Sequence, residues 1–189
     1  MECAVFLDRD GTIIKERNYL TNISQIKPVQ GVKKALFNLK KSGYLNIIIT
    51  NQSAVARGLI TEKKLREIHN YLISNLTYHR KKVIDDIYYS PFHKDGTISR
   101  YKIEHPDRKP GTGMIQKAVK KHNIDLQTSY FVGDSLSDMQ CAQNAGLKKI
   151  LVLTGYGRRT LEICRKEDIR LEYTAKNISD AANYILSQK

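Results

Sequence analysis

The chain has 189 residues, 41% of them hydrophobic, which suits one packed domain spanning residues 1–189 and excludes a disordered chain. No apolar run is long enough to cross a bilayer, and Cys3, Cys141 and Cys164 lie far apart with no CxxC. A membrane protein and a disulfide-built scaffold are therefore excluded, and a reducing cytoplasm is expected. Lys and Arg number 32 against 19 Asp and Glu, a net charge of +13, which favours an anionic partner.

Ala4 to Leu7 reads as a short buried strand that enters the chain at once, leaving no room for a cleavable leader. It ends in Asp8-Arg9-Asp10-Gly11-Thr12. Arg9 is expected to point away, so that Asp8 and Asp10 converge beyond the carboxyl end of the strand, where open α/β sheets place their sites. Two carboxylates so close need a cation or a shared proton. A divalent metal would resolve the repulsion and leave one of them as a nucleophile. Residues 12–20 read as a loop or small hairpin over that point.

A helix is expected from Gly31, with Val32, Ala35, Leu36 and Leu39 on one face, ending near Ser42-Gly43. Tyr44 to Thr50 has the continuous apolar character of a central parallel strand and delivers Thr50 and Asn51 to the same sheet edge as Asp8. Thr61 is the expected N-cap of a long helix carrying Leu65, Ile68, Leu72 and Leu76, with His69 and His79 as surface or packing residues. Ile84 to Tyr89 is the next strand, and residues 90–107 form a long polar loop of the kind that often carries function. The loop ends in Arg108-Lys109-Pro110: a point charge for a phosphate oxygen beside a guanidinium able to grip a second anion. Gly111–His122 reads as helix, Tyr130–Val132 as strand, Leu136–Gly146 as helix and Ile150–Leu153 as strand. Gly133-Asp134 closes the Tyr130 strand, making Asp134 the natural third metal ligand, with Asp138 one turn on as an outer or water-mediated partner. Beyond Gly155 come a basic turn at Tyr156–Arg159, a short strand near Leu171–Tyr173 and a final helix from Ile178. That turn reads either as a distal phosphate contact or as a solvated loop, and the last 35 or so residues hold no catalytic signal.

The strand–helix alternation predicts a Rossmann-like, three-layer α/β/α sandwich on a parallel sheet. The cationic pairs, Lys33-Lys34 and Lys120-Lys121 among them, are scattered and lack interleaved aromatic residues for base stacking. A small phosphorylated substrate is therefore preferred to nucleic acid as the partner.

In order, DRDGT, TNQS, RKP and GDSLSD resemble the four motifs of haloacid dehalogenase superfamily phosphohydrolases. The longer set DRDGT, TNQS…ARG, YYxPxH, RKPxxGM and GDxxxDMQ is similar to the D-glycero-D-manno-heptose 1,7-bisphosphate phosphatases and the related histidinol phosphatases. Spacing between the motifs leaves no room for an inserted cap domain, so a capless monomer is expected. The resemblance implies an Mg²⁺-dependent phosphatase with Asp8 as nucleophile and Asp10 as general acid/base. Thr50 and Lys109 then hold the phosphoryl group, and the metal sits on Asp8, the Asp10 carbonyl and Asp134. It further implies substrate contacts from Glu16 and Tyr19 in a mobile flap, from Asn51, Gln52 and Ser53, from Arg108, and from Ser135 where the family usually carries Lys. That family ties its long loop with zinc through a Cys-x-His and a Cys-x-Cys. Here those positions read Ser90, Phe92, His105 and Asp107, so no structural zinc is expected, and a makeshift His93, His105, Asp107 site is the weaker reading. Polynucleotide 3′-phosphatases share the TNQ and RKPxxGM pattern, lack the zinc and are basic; they stand as the rival, and a non-catalytic phosphosugar-binding protein as a remote one.

Overall fold

A computed structural model describes all residues 1–189. Its centre is a six-stranded, all-parallel sheet in the order β5-β2-β1-β6-β7-β8. These strands are β1 (Cys3–Leu7), β2 (Tyr44–Asn51), β5 (Asp86–Ser90), β6 (Tyr130–Gly133), β7 (Lys148–Val152) and β8 (Tyr173–Ala175). The helices are α1 (Val32–Lys41), α2 (Glu62–Asn75), α3 (Gly113–His122), α4 (Leu136–Asn144), α5 (Gly157–Lys166) and α6 (Ile178–Ser187). A small antiparallel pair, β3 (Thr77–Tyr78) and β4 (Lys81–Lys82), follows α2.

Successive residues of a strand face opposite sides, and the core divides accordingly. Val5 and Leu7 of β1 pack with Ile48 against α1, α2 and α6, through Leu36, Leu39, Ile68, Leu72 and Ile185. Ala4 and Phe6 pack with Ile47 and Ile49 against α3 and α4, through Met114, Ile115, Ala118 and Cys141. Cys164 of α5 joins Met139 and Leu151 on that second side. The three-layer α/β/α architecture is as expected from the alternation. No helix is long and apolar enough to cross a membrane.

Several boundaries differ from the sequence expectation, among them α3, which begins at Gly113, α4, which ends at Asn144, and β7, which begins at Lys148. The third long strand, β5, begins at Asp86 rather than Ile84. Val83 and Ile84 are apolar because they are buried, but the Val83 carbonyl accepts from the Asn46 side chain at 2.8 Å instead of joining the ladder. The stretch read as a basic turn opens helix α5, whose inward stripe is only Gly157, Thr160 and Cys164, too narrow and too flanked by charge to register as helical periodicity. The last strand pairs through Tyr173–Ala175, two residues later than expected.

β1 lies between β2 and β6, so the chain leaves β1 toward one side of the sheet and later crosses to the other. Residues at the carboxyl ends of these three strands meet at that switch point.

Candidate active site

Asp8 follows β1, Thr50 closes β2, Asp134 follows β6, and the turn after the 90–107 loop brings in Lys109. Together with Asp10, Glu16, Tyr19, Asn51, Gln52, Ser53, Arg108, Ser135 and Tyr156 they line one polar cavity of about 350 Å³. Every residue assigned from the sequence to catalysis, substrate contact or Mg²⁺, except Asp138, lines it.

Lys109 is the buried hub. Its Nζ lies 2.6 Å from Asp8 Oδ1 and 2.6 Å from Asp138 Oδ1, and donates to the Ile49 carbonyl at 2.9 Å. Two of its three ammonium donors are hydrogen-bonded, to Asp8 and the Ile49 carbonyl, and Asp138 is held as a charge partner. Its backbone is fixed by a reciprocal pair with the Asn51 amide, Lys109 N–H to Oδ1 at 3.0 Å and Nδ2 to the Lys109 carbonyl at 3.1 Å. Asn51 thus lines the cavity while its polar atoms bind the protein.

Asp138, read as an outer partner of the metal, has an oxygen within 4.8 Å of those of Asp8 and Asp134 but is engaged by the protein. It is fully buried, and Oδ2 accepts from Ser135 N–H at 3.0 Å and Ser135 Oγ at 2.7 Å. It caps the start of α4 and pairs with Lys109 rather than standing at the cavity wall. Gly133 and Ser135 place it there because a strand–turn–helix junction folds the third residue of α4 back on the turn. The Ser135 hydroxyl, read as a substrate contact, faces the cavity but is also bonded to Asp138 and Ser137.

Asp134 is held at 2.7 Å by the Tyr156 N–H, which donates to Oδ2. Gly11 and Gly155 close on it from two sides at positive φ (80° and 53°), and a Cβ on either would overlap its carboxylate. Asp8, Asp134 and Asp138 form the one group of three metal-ligating side chains, their nearest oxygens all within 4.8 Å. Burial, outweighing the Lys109 charge, together with the neighbouring Asp138 and Asp10, pushes Asp8 up to about 7. Burial and the charges of Asp8 and Asp138 push Asp134 up to about 9. Buried all-oxygen carboxylates that repel one another fit a hard divalent cation such as Mg²⁺, which would restore both to the ionised form.

Arg9 overturns an expectation. It does not point away: its guanidinium, 1% exposed, turns back, with Nε 3.0 Å and Nη2 2.8 Å from Asp10 Oδ2. Nη2 also donates to Gln52 Oε1 at 2.9 Å, and Nη1 lies 3.0 Å from His69 Nε2. The Gln52 amide donates to Asp10 Oδ2 at 3.1 Å and to Thr50 Oγ1 at 2.9 Å. Gln52, read as a substrate contact, is thus spent on the Asp10 carboxyl, while Thr50 keeps its own O–H for another acceptor. His69, read as a surface or packing residue, is a buried partner in this chain of contacts. The signal for it was present as a His on the apolar face of α2, one turn beyond Leu65, but nothing local to it names Arg9.

The flap is anchored at both ends by buried side chains, Ile13 and Ile14 on one side and Leu20 on the other, leaving Glu16 to Tyr19 across the cavity mouth. Burial and the Asp10 charge push Glu16 up to about 7. The Arg57 guanidinium sits 5.9 Å from the Tyr19 ring centre, and Arg108 Nη1 donates to the Phe92 carbonyl at 3.0 Å.

At the base of the 90–107 loop the Phe92 and His105 rings stack 3.9 Å apart at 16°. His105 Nδ1 accepts from Asp107 N–H at 3.1 Å, His93 Nδ1 accepts from Asp95 N–H at 3.1 Å, and Asp107 pairs with Lys117. His93, His105 and Asp107 do not converge as a ligand set.

Residues 107–181 match the HAD-hydrolase-like family model. The D-glycero-beta-D-manno-heptose-1,7-bisphosphate 7-phosphatase of Haemophilus ducreyi is 42% identical over 153 residues, 80% of this chain and 84% of that protein. The enzyme of the same name from Escherichia coli K12 is 39% identical, covering 80% of each chain. Among solved structures, the D,D-heptose 1,7-bisphosphate phosphatase of B. bronchiseptica, complexed with magnesium and phosphate, superposes with a TM-score of 0.85 at 28% identity over 99% of both chains. A site of this composition on this fold, with relatives this similar over most of their length, places the chain in the heptose bisphosphate phosphatase family of the HAD-like hydrolases.

Proposed function

We propose that this chain is an Mg²⁺-dependent phosphatase that removes one phosphate from a heptose 1,7-bisphosphate through an aspartyl-phosphate. The observation that carries it is the meeting of Asp8, Asp134 and Lys109 with a second carboxyl, Asp10, in one polar cavity.

Asp8 is the nucleophile, attacking phosphorus in line and forming an acyl-phosphate. Asp10 donates its proton to the departing sugar oxygen and then takes one from the water that hydrolyses the acyl-phosphate. Of its two oxygens, Oδ2 is occupied by Arg9 and Gln52, whereas Oδ1 is buried with no hydrogen-bond partner, poised for the leaving group. The Thr50 hydroxyl donates to the transferring group, and the Lys109 charge lies beside it. Asp8, Asp134 and the Asp10 carbonyl would hold Mg²⁺, which supplies charge neutralisation at the phosphoryl oxygens. Arg108, Glu16, Tyr19 and Ser53 line the outer cavity and are assigned to the rest of the substrate. The scattered +13 charge draws a phosphorylated small molecule toward this cavity.

The test is phosphate release with Mg²⁺ from both anomers of heptose 1,7-bisphosphate, histidinol phosphate, fructose 1,6-bisphosphate and a 3′-phosphorylated oligonucleotide. Preference for one heptose anomer is expected. Preference for the oligonucleotide would keep the chemistry and overturn the substrate. Asp8→Asn is expected to abolish release, and Asp10→Asn to lower it by about 10²–10⁴-fold on substrates with an alkoxide leaving group.

A further inference from the structure

We propose that His69 is a positioning residue for this reaction: through the buried Arg9 guanidinium it holds the Asp10 carboxyl with Oδ2 engaged and Oδ1 left free for the reacting group. The proposal rests on reading Asp10 as the proton donor.

Arg9 is the largest fully buried side chain of the molecule, and its one ion pair is with Asp10, its neighbour in sequence. Arginine offers donors only, so His69 Nε2 must accept from Nη1, which places the imidazole proton on Nδ1 and makes the ring neutral. Burial, followed by the Arg9 charge, favours the same neutral form by holding the His69 pKa well below its usual range. The Tyr89 ring packs against His69 with centres 5.3 Å apart, holding it in place. Gln52 completes the frame, accepting from Arg9 and donating to Asp10 Oδ2.

The consequence falls on Asp10. Oδ2 accepts from Arg9 and from Gln52, while Oδ1 is buried without a partner. Oδ1 is therefore the oxygen left free to hand a proton to the leaving group. As the phosphorus–oxygen bond breaks, that proton passes to the leaving oxygen, and Asp10 becomes a carboxylate paired with Arg9. Without the His69 acceptor, Nη1 is buried and unpaired, and the guanidinium gains by turning toward another acceptor, which frees Oδ2 and lets the carboxyl turn away from the leaving group.

A leaving-group comparison tests this. An aryl phosphate such as p-nitrophenyl phosphate departs without a proton, whereas an alkyl phosphate needs one. kcat/KM covers the steps through leaving-group departure and omits acyl-phosphate hydrolysis. His69→Phe keeps the ring against Tyr89 and removes the acceptor; it is expected to lower kcat/KM for the alkyl phosphate by about 10-fold or more while the aryl value falls less than about 3-fold. His69→Gln, which restores an acceptor, is expected to recover most of the loss. Equal falls on both substrates, or no fall on either, in a variant whose circular dichroism matches the parent would overturn the proposal. If His69→Phe does not fold, His69→Gln carries the test, and an alkyl-selective loss there as deep as in Asp10→Asn would overturn it. The failure of the underlying reading looks different: Asp10→Asn itself would then show no selectivity between alkyl and aryl phosphates.

Discussion

Lys109 joins two buried carboxylates that would otherwise repel each other, Asp8 and Asp138. Its own pKa is held up by them against the effect of burial. The lysine is therefore structural and electrostatic before it is catalytic. Removing one partner of a buried pair costs about 3–5 kcal/mol because the other charge is stranded. Lys109→Met is expected to lose about that much stability in urea titrations without metal. Added Mg²⁺ is expected to recover more stability in the variant than in the parent, since it would neutralise the stranded carboxylates. Equal Mg²⁺ stabilisation of the two proteins would show that the three carboxylates do not share one cation field. The two glycines that close on Asp134 belong to the same logic: a side chain at Gly11 or Gly155 would occupy the carboxylate's own position.

At the scale of elements, the loop over residues 90–107 is tied to the scaffold through the start of α2. Thr61 caps that helix, accepting from Lys64 N–H at 3.1 Å, and the next residue, Glu62, accepts from Tyr89 O–H at 2.9 Å and from Tyr101 O–H at 2.7 Å. Tyr101 belongs to the short 3₁₀ turn Ser99–Tyr101 inside the loop, and its ring also lies 6.0 Å from Phe92. One carboxylate thus joins α2, the end of β5 and the loop. Glu62→Ala leaves both hydroxyls without that acceptor and is expected to cost about 1–3 kcal/mol. It is also expected to speed amide hydrogen exchange across residues 92–102 while leaving β1 and β2 protected. Unchanged exchange in that segment would mean that the Phe92–His105 stack and the Asp107–Lys117 pair hold the loop alone.

Across the whole molecule, the positive charge is dispersed, and a few acidic groups carry local pairings. Asp86 on edge strand β5 accepts from Lys121 at 2.8 Å, lies 2.8 Å from His122 Nε2, and takes the Ile87 N–H at 2.9 Å. Burial alone would raise its pKa, but these hydrogen bonds outweigh it and bring Asp86 down from 3.8 to about 2. A depressed folded-state pKa contributes stability that is present above the unfolded value and lost as pH falls through the folded one. Asp86→Asn is therefore expected to be less stable than the parent at pH 6, by on the order of 0.5 kcal/mol after solvent screening. The gap should close between pH 4 and pH 2, as read by urea midpoints at each pH. A gap independent of pH would assign the contribution to packing rather than charge.

The sequence by itself determined the layer order and the carboxyl-edge residues. Apolar runs at strand length, amphipathic runs at helix length and caps such as Thr61 are local properties, and an all-parallel sheet leaves few ways to place Asp8, Thr50 and Asp134 other than together. Helix α5 escaped because its buried stripe is narrow, and the start of β5 was misplaced because burial and strand pairing coincide in composition at Val83-Ile84. Tertiary structure alone decided who partners whom inside the site. Strand alternation predicts Arg9 on the face opposite its flanking aspartates, but its side chain turns to Asp10, and only the packing of α2 presents His69 to receive it. Likewise, Asp138 reads from its spacing as an outer partner of a metal, and only the fold of the β6–α4 turn shows that its protein partner is Lys109. Such pairings bring together side chains up to about a hundred positions apart, and no local pattern encodes a contact that exists only once the layers have closed.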